Sequence, residues 1–306
     1  MATSNSQNYA ISATEIISEA TELCGGAAGS DGTIPTADYN SALRTLNLMI
    51  KAWQQEGLFL HKYGTATLFF AHEAGHYLLG TTAHATESYV ETTLAADAAL
   101  GATTITLTST DGITALDVIG IVLDDGTIHW TTVTTAATTL IASGLASAAS
   151  SGNMVIAYTT AIGIPEKVTD VMRQNADAID TEVEIISREA YRRISDKEAV
   201  GKTTKVFIDP KTTYVGLYAW PMPDDVTDRL TFSYAKLVDD FDNTTDNPDI
   251  PIGFAEALVT GLAYRLAPKY RLPASEREDL RLRAENAKAA IDDFEETSLF
   301  FEPRMS

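Results

Sequence analysis

Thr65-Ala66-Thr67-Leu68-Phe69-Phe70-Ala71-His72-Glu73-Ala74-Gly75-His76-Tyr77-Leu78-Leu79-Gly80 reads in two ways, and the choice between them decides the fold. As a helix it sets His72 and His76 one turn apart with Glu73 beside them. That H-E-x-x-H pattern can hold zinc and supply a general base. As β structure it is two short strands joined by a turn near Glu73 to Gly75, which points the histidines elsewhere. The residues favour strands: Thr65 to Phe70 is β-prone, and Gly64, Gly75 and Gly80 punctuate the run. A catalytic zinc also needs a third protein ligand. Gly80 and His84 are out of step with the extended zinc motif, and nothing marks Glu87 or Glu91 as the missing carboxylate. An apolar helix over 66–79 is the alternative.

Outward from this stretch, composition changes abruptly. Between Lys62 and Lys167 there is not one Lys or Arg, only Ala, Thr, Ser and Gly with scattered acids. Within that stretch Thr103 to Thr108 alternates, and so does Thr127 to Val133. Asp124-Asp125-Gly126 separates the latter from Val118 to Leu123 as a hairpin turn, and Asn153 to Tyr158 closes the region. Residues 86–160 are therefore expected to form an inserted small β-barrel or sandwich. His129 and Trp130 lie on opposite faces of their strand, one packed and one exposed.

Both ends of the chain read as helical. Ser12 and Glu15 form a capping box before Ile16, Ile17, Ala20 and Leu23. A second helix starts at Thr36, carries Tyr39, Ala42, Leu43, Leu46, Met49, Ile50 and Trp53 on one face, and ends at Gly57. Pro251 opens a helix with Phe254, Leu258, Leu262 and Leu266, which Pro268 should kink or end. Ser275 and Glu278 repeat the capping box before Leu280, Ala284, Ala287, Ile291 and Phe294. Four helices from opposite ends can pack as one bundle from which the β material projects. The predicted class is α+β. Its domains are a helical-bundle core with β elements over 10–85 and 161–297, the insertion at 86–160, and a C-terminal tail at 298–306.

The chain has 306 residues and a net charge of -20, from 22 Lys and Arg against 42 Asp and Glu. DNA affinity comes mostly from neutralising phosphates, so a chain this acidic should not grip nucleic acid, though it can sit beside it. Residues 1–10 lack a basic residue and an apolar core, so no signal peptide is expected. No apolar run approaches the roughly 20 residues that cross a bilayer. Cys24 is the single cysteine, which rules out an intrachain disulfide. The acidic run from Asp239 to Asp249 lacks the Gly and Glu that a calcium loop needs and reads as a solvated loop.

Leu46-Asn47-Leu48-Met49-Ile50-Lys51-Ala52-Trp53-Gln54-Gln55-Glu56-Gly57-Leu58 resembles the LN-x-M-x-x-x-W-x-x-x-G-L segment of tailed-phage head-to-tail adaptors. These are the tail accessory, or packaged-DNA stabilisation, proteins of short-tailed phages. Further stretches follow in the family's order. Arg188-Glu189-Ala190-Tyr191 leads to Gly201, and Leu217 to Asp224 looks like its WP-x-PD corner. Ile252 to Ala267 looks like the helix after it, and Phe69 to Gly80 like a strand-turn-strand ending in Leu-Gly. The resemblance covers most of 10–297, interrupted by the Ala/Thr-rich insertion.

It implies a structural virion protein at the head-to-tail junction, assembled in the host cytoplasm. Its partners would be a homo-oligomeric ring of about twelve copies, the portal protein, and tail nozzle or tail fibre or spike proteins. Double-stranded DNA would pass through the channel without sequence-specific binding. No catalytic residue, cofactor, metal or membrane insertion is implied. A ring closes through heterologous contacts, for which the helical ends offer Trp53, Tyr264, Tyr270, Arg277 and Arg281. The tail offers Leu299, Phe300 and Phe301. The alternative is a zinc-dependent peptidase or virion cell-wall hydrolase using His72, Glu73 and His76.

Overall fold

The structure, a computed structural model, describes residues 10–25, 34–58, 63–80, 85–136, 139–243, 246–248 and 252–298. The fold is α+β, with three open sheets and no closed barrel among the described residues. Contacts divide it into two units, 1–62 with 238–306, and 63–237. The β elements at 63–85 and 161–237 thus group with the insertion rather than with the helices expected to share their domain.

The first unit is built on helices. Helix α1 (Ala13–Leu23) starts at the expected capping box: Ser12 Oγ accepts from the Glu15 amide at 3.3 Å, and Glu15 Oε2 accepts from the Ser12 amide at 2.7 Å. Helix α2 (Thr36–Gln55) buries Tyr39, Ala42, Leu46, Met49, Ile50 and Trp53, the face its 3.6-residue period predicts. One turn of 3-10 helix (Ile252–Phe254) leads into α4 (Ala255–Leu266), which is apolar nearly all round. Such a helix has to be covered on several sides, and α1, α2 and a final helix, α5 (Ala274–Ser298), all pack on it. Pro251, expected to open this helix, lies outside the described residues. Helix α5 begins one residue before Ser275, and Glu278 pairs with Arg281 instead of capping. The carbonyl of the preceding Pro273 accepts from the Arg277 amide at 3.0 Å, the first hydrogen bond of the helix.

The acidic loop after residue 237 is anchored rather than wholly solvated. Asp239, Asp240 and Asp242 face solvent, but Val238 and Phe241 are buried in the helical core. Asn47 of α2 exchanges two 3.0 Å hydrogen bonds with the Phe241 backbone, and Lys51 Nζ donates to the Val238 carbonyl at 2.6 Å. These side chains satisfy main-chain groups that a buried loop would otherwise leave without partners.

The second unit is β. The deciding stretch forms β1 (Tyr63–Phe69) and β2 (His76–Leu79), with turn residues between them. The two strands do not pair with each other. One sheet runs β10-β9-β14-β1-β3, from β3 (Ala85–Thr86), β9 (Lys167–Gln174), β10 (Asp180–Glu182) and β14 (Arg229–Ala235). A second runs β11-β12-β13-β2, from β11 (Glu184–Ile186), β12 (Lys205–Pro210) and β13 (Val215–Trp220). Residues 70–75 are therefore the corner that carries the chain from one sheet to the other. The two sheets share one core, in which Leu68, Phe70, Leu230 and Phe232 meet Leu79, Val206 and Leu217.

The insertion carries the third sheet, β4-β8-β5-β6-β7, from β4 (Val90–Thr93), β5 (Val118–Val122), β6 (Ile128–Thr135), β7 (Leu140–Ile141) and β8 (Met154–Tyr158). The hairpin at 123–127 forms as expected, with Asp125 Oδ1 accepting from the Thr127 amide. The sheet stays open where a closed barrel was one expectation. The run 103–108 keeps its alternation, with Ile105 and Leu107 buried, but makes only isolated bridges to Leu140 and Leu94. One face of the sheet has its own core around Ile119, Ile121, Val133 and Val155. The other meets Phe69 of β1 in an aromatic seam with Tyr89, Trp130 and Tyr158. Trp130 and His129 are both half-buried, the latter hydrogen-bonded to Ser143 at 3.2 Å.

Candidate interaction surface

The H-E-x-x-H residues take up the sheet-to-sheet corner. Glu73 has φ 55, in the left-handed region, and its amide donates to the Pro223 carbonyl at 3.0 Å. His72 Nε2 lies 3.7 Å from Glu73 Oε1, whereas His76 is on β2 with its ring stacked on Tyr218, centroids 4.3 Å apart. A corner between two strands does not set the histidines one helical turn apart, as the helical reading of this stretch would. No group of three or more His, Cys, Asp or Glu able to hold a metal occurs among the described residues.

The same corner contributes to a different arrangement. Strand register aligns Ile186, Phe207, Tyr218 and His76 in one row across the second sheet. Successive side chains on a strand alternate faces, so Val206, Leu217 and Leu79 line the core while this row lies on the other side. Phe207 and Tyr218 stack at 5.6 Å, and Tyr191 lies over both at 5.4 Å. Gly216 makes the row possible: a Cβ there would stand 3.2 Å from His76 Nε2 and 3.3 Å from Tyr218 Cε2.

Tyr191 comes from a helix of six residues, α3 (Arg188–Arg193), which buries no residue. So short a helix is marginal alone. It is held by the Ser187 cap, by Tyr191 on the row, and by an ion pair from Arg188 to Asp209. Arg188 also lies 5.5 Å from the Phe207 ring and Lys197 5.7 Å from the Tyr191 ring. Arg188, Arg192, Arg193, Lys197, Lys202, Lys205 and Lys211 all fall within 188–211, in a chain of net charge -20. Arg188 and Lys197 lie over aromatic rings beside this short helix, forming a ledge, while Arg193, Lys202, Lys205 and Lys211 pair with neighbouring carboxylates.

Asp209 ties this ledge to β12. A hydrogen bond from Lys211, 2.9 Å away, and the charge of Arg188 hold its carboxyl below the ordinary 3.8. The unfolded chain therefore takes up a proton first as pH falls. The stability due to this pairing is complete above the ordinary carboxylate range and fades as pH drops through the folded value. The expected result is that wild type and Asp209→Asn differ by a constant amount above about pH 5 and that the difference shrinks as pH falls below the ordinary carboxylate range. Urea midpoints across that range measure it, and an equal difference at both ends would discount the pairing.

The residues expected at an interface divide. Trp53 is 5 % exposed and packs in the helical core, and Tyr270 is partly buried against the same core. Tyr264 is 40 % exposed, and Arg277 is exposed. Arg281 is committed to Glu278 and Glu285 on its own helix. Leu299, Phe300 and Phe301 lie outside the described residues. His76, Arg188, Tyr191 and Tyr218 had each drawn notice from sequence but not as one surface, because the row depends on pairing between strands far apart in the chain.

The comparison with protein families finds no match, and neither does the comparison with curated proteins.

Proposed function

We propose that the chain is a head-to-tail adaptor of a tailed phage, a non-enzymatic virion component that closes into a ring beneath the portal. The ring extends the DNA channel, retains packaged DNA and carries the tail proteins. In this reading both chain ends form a helical bundle, and 86–160 is a small β module, barrel-like or sandwich-like, set into the adaptor core.

One observation carries the proposal. The two segments that most resemble the family, 46–58 and 252–267, pack directly on each other. Met49 Sδ and Trp53 Cζ2 stand 2.9 and 3.0 Å from the point where Gly261 would carry a Cβ. Asn47 of the same segment clamps the loop that leads to α4. The resembling residues thus behave as parts of one packing scheme rather than as scattered coincidences. The stretch without Lys or Arg supports the reading too, because a conduit for DNA works best with walls that do not bind phosphate.

The test is assembly with the portal of the same particle. Alone at low salt the protein should sediment as a monomer or weak oligomer, because copies of net charge -20 repel one another and screening relieves it. With portal it should appear as a ring in electron micrographs. A protein that neither binds portal nor is found in purified virions is not an adaptor. A closed ring at low salt without portal would refute the templated assembly.

A further inference from the structure

A pocket of about 360 Å³ opens where the third sheet meets the start of β14, with Glu91, Val122, Asn153, Met154, Ala176 and Arg229 in its lining. Arg229, 8 % exposed, is fixed in it from three sides. Its Nε donates to Gln174 Oε1 at 2.8 Å, its Nη1 donates to Glu91 Oε2 at 2.7 Å, and the guanidinium lies 5.4 Å from the Tyr89 ring. Nη2 has no partner among the described residues, yet it is not sealed in the interior, so it opens onto the pocket. Tying the insertion to the first sheet uses only Nε and Nη1. We infer that this pocket binds a neutral polyhydroxylated ligand, a mono- or disaccharide. Arg229 Nη2 donates to one of its hydroxyls, and Glu91 and Asn153 accept from others.

Charge and hydrogen-bonding capacity select this class of ligand. Glu91 is held against Arg229, and Asp124 lies 2.8 Å behind the Asn153 amide, so a phosphate or carboxylate would meet two carboxylates beside the one lining cation. A cation would meet the guanidinium in turn. A hydroxyl suits both partners, because it accepts and donates at once. The acceptors are already oriented for it. Asn153 Nδ2 donates to the Val122 carbonyl at 3.0 Å and to Asp124, which leaves Oδ1 without a partner among the described residues. Glu91 spends Oε2 on Arg229 and keeps Oε1. Val122 and Met154 add an apolar wall for the C–H face of a sugar ring, the mixture of apolar lining and a few fixed polar groups that small-molecule sites use. Arg229 pairs with Phe69 on one side and Gln174 on the other in the central strand of the first sheet, so its donor is in place before a ligand arrives. Nothing in this site depends on the chain being an adaptor.

Saturation-transfer NMR on the full chain with glucose, galactose, mannose, N-acetylglucosamine and maltose tests the site, and a shift titration gives Kd. At least one of these sugars should bind with a millimolar or lower Kd. Ala176 lies exposed in the turn between β9 and β10, so Ala176→Trp should block the pocket without disturbing the Arg229 contacts. It should raise Kd by about tenfold or more and leave the melting temperature within a degree or two of wild type. Arg229→Lys keeps a charge but removes the forked donors, and should weaken binding as much. Should that variant fail to fold, Ala176→Trp decides alone. No binding by any of the sugars at high millimolar concentration overturns the inference, as does binding that survives Ala176→Trp. Inorganic phosphate that binds more tightly than every sugar and displaces it would make this an anion site, and would overturn it too.

Discussion

Replacing Trp53 with alanine should lower the stability of the helical unit by about 3–5 kcal/mol, the usual cost of emptying a buried tryptophan site. The indole is fully packed, and the Gly261 backbone lets α4 approach it closely. The surrounding helices are held by Leu46, Met49, Leu258 and Leu262, so the cavity cannot collapse without moving α2 against α4. Denaturant unfolding followed by far-ultraviolet circular dichroism measures the effect. Tyr264→Ala, on the exposed side of α4, is the control and should change stability by about 0.5 kcal/mol or less. If Trp53→Ala kept its unfolding midpoint and instead weakened association, Trp53 would be an interface residue after all.

The second large effect concerns the seam between the insertion and β1. Phe69 meets Tyr89 edge-on at 5.1 Å, Trp130 at 5.9 Å and Tyr158 in a stack at 6.3 Å. Beside them Arg229 lies 5.4 Å from the Tyr89 ring and pairs with Glu91 at 2.7 Å. Phe69→Ala should cost about 3–5 kcal/mol, whereas Phe69→Leu should lose under about 1.5 kcal/mol beyond the aromatic contacts. The loss should be local. Amides of β6 and β8 on the seam side should exchange faster, while the separate core around Ile119, Ile121 and Val155 keeps the rest of the third sheet protected. Unchanged exchange in both strands would mean that the seam contributes nothing and the insertion stands alone.

These two residues also mark how far the amino-acid order could be followed without the fold. The period of α2 identified Trp53 as apolar-facing, but a buried face reads the same whether its cover is the subunit's own α4 or a neighbour's surface. The corner at 70–75 shows the converse. β-prone residues and glycines at 64, 75 and 80 outweighed a five-residue match to a zinc motif, since a motif carries chemistry only when its backbone presents it. That the strands on either side belong to different sheets was not legible, because nothing local distinguishes a hairpin turn from a corner. The ledge of His76, Tyr218, Phe207 and Tyr191 was equally hidden. Its members come from four separate elements, and Gly216, which makes room for two of the rings, looks in the sequence like any strand glycine.

What the sequence alone determined here is local. The capping box at Ser12, the apolar face of α2, the hairpin at Asp124 to Gly126 and the charge gap from 63 to 166 all follow from residues within a few positions of one another. Caps and turn chemistry act within a few residues, and the apolar period fixes which face of a helix must be buried though not what buries it. Tertiary structure decided which strand lies beside which, whether an aromatic is core or surface, and where the insertion is anchored. Those outcomes depend on register and on contacts between positions such as 69 and 158 or 53 and 261, which only a closed chain brings within a few ångströms of each other.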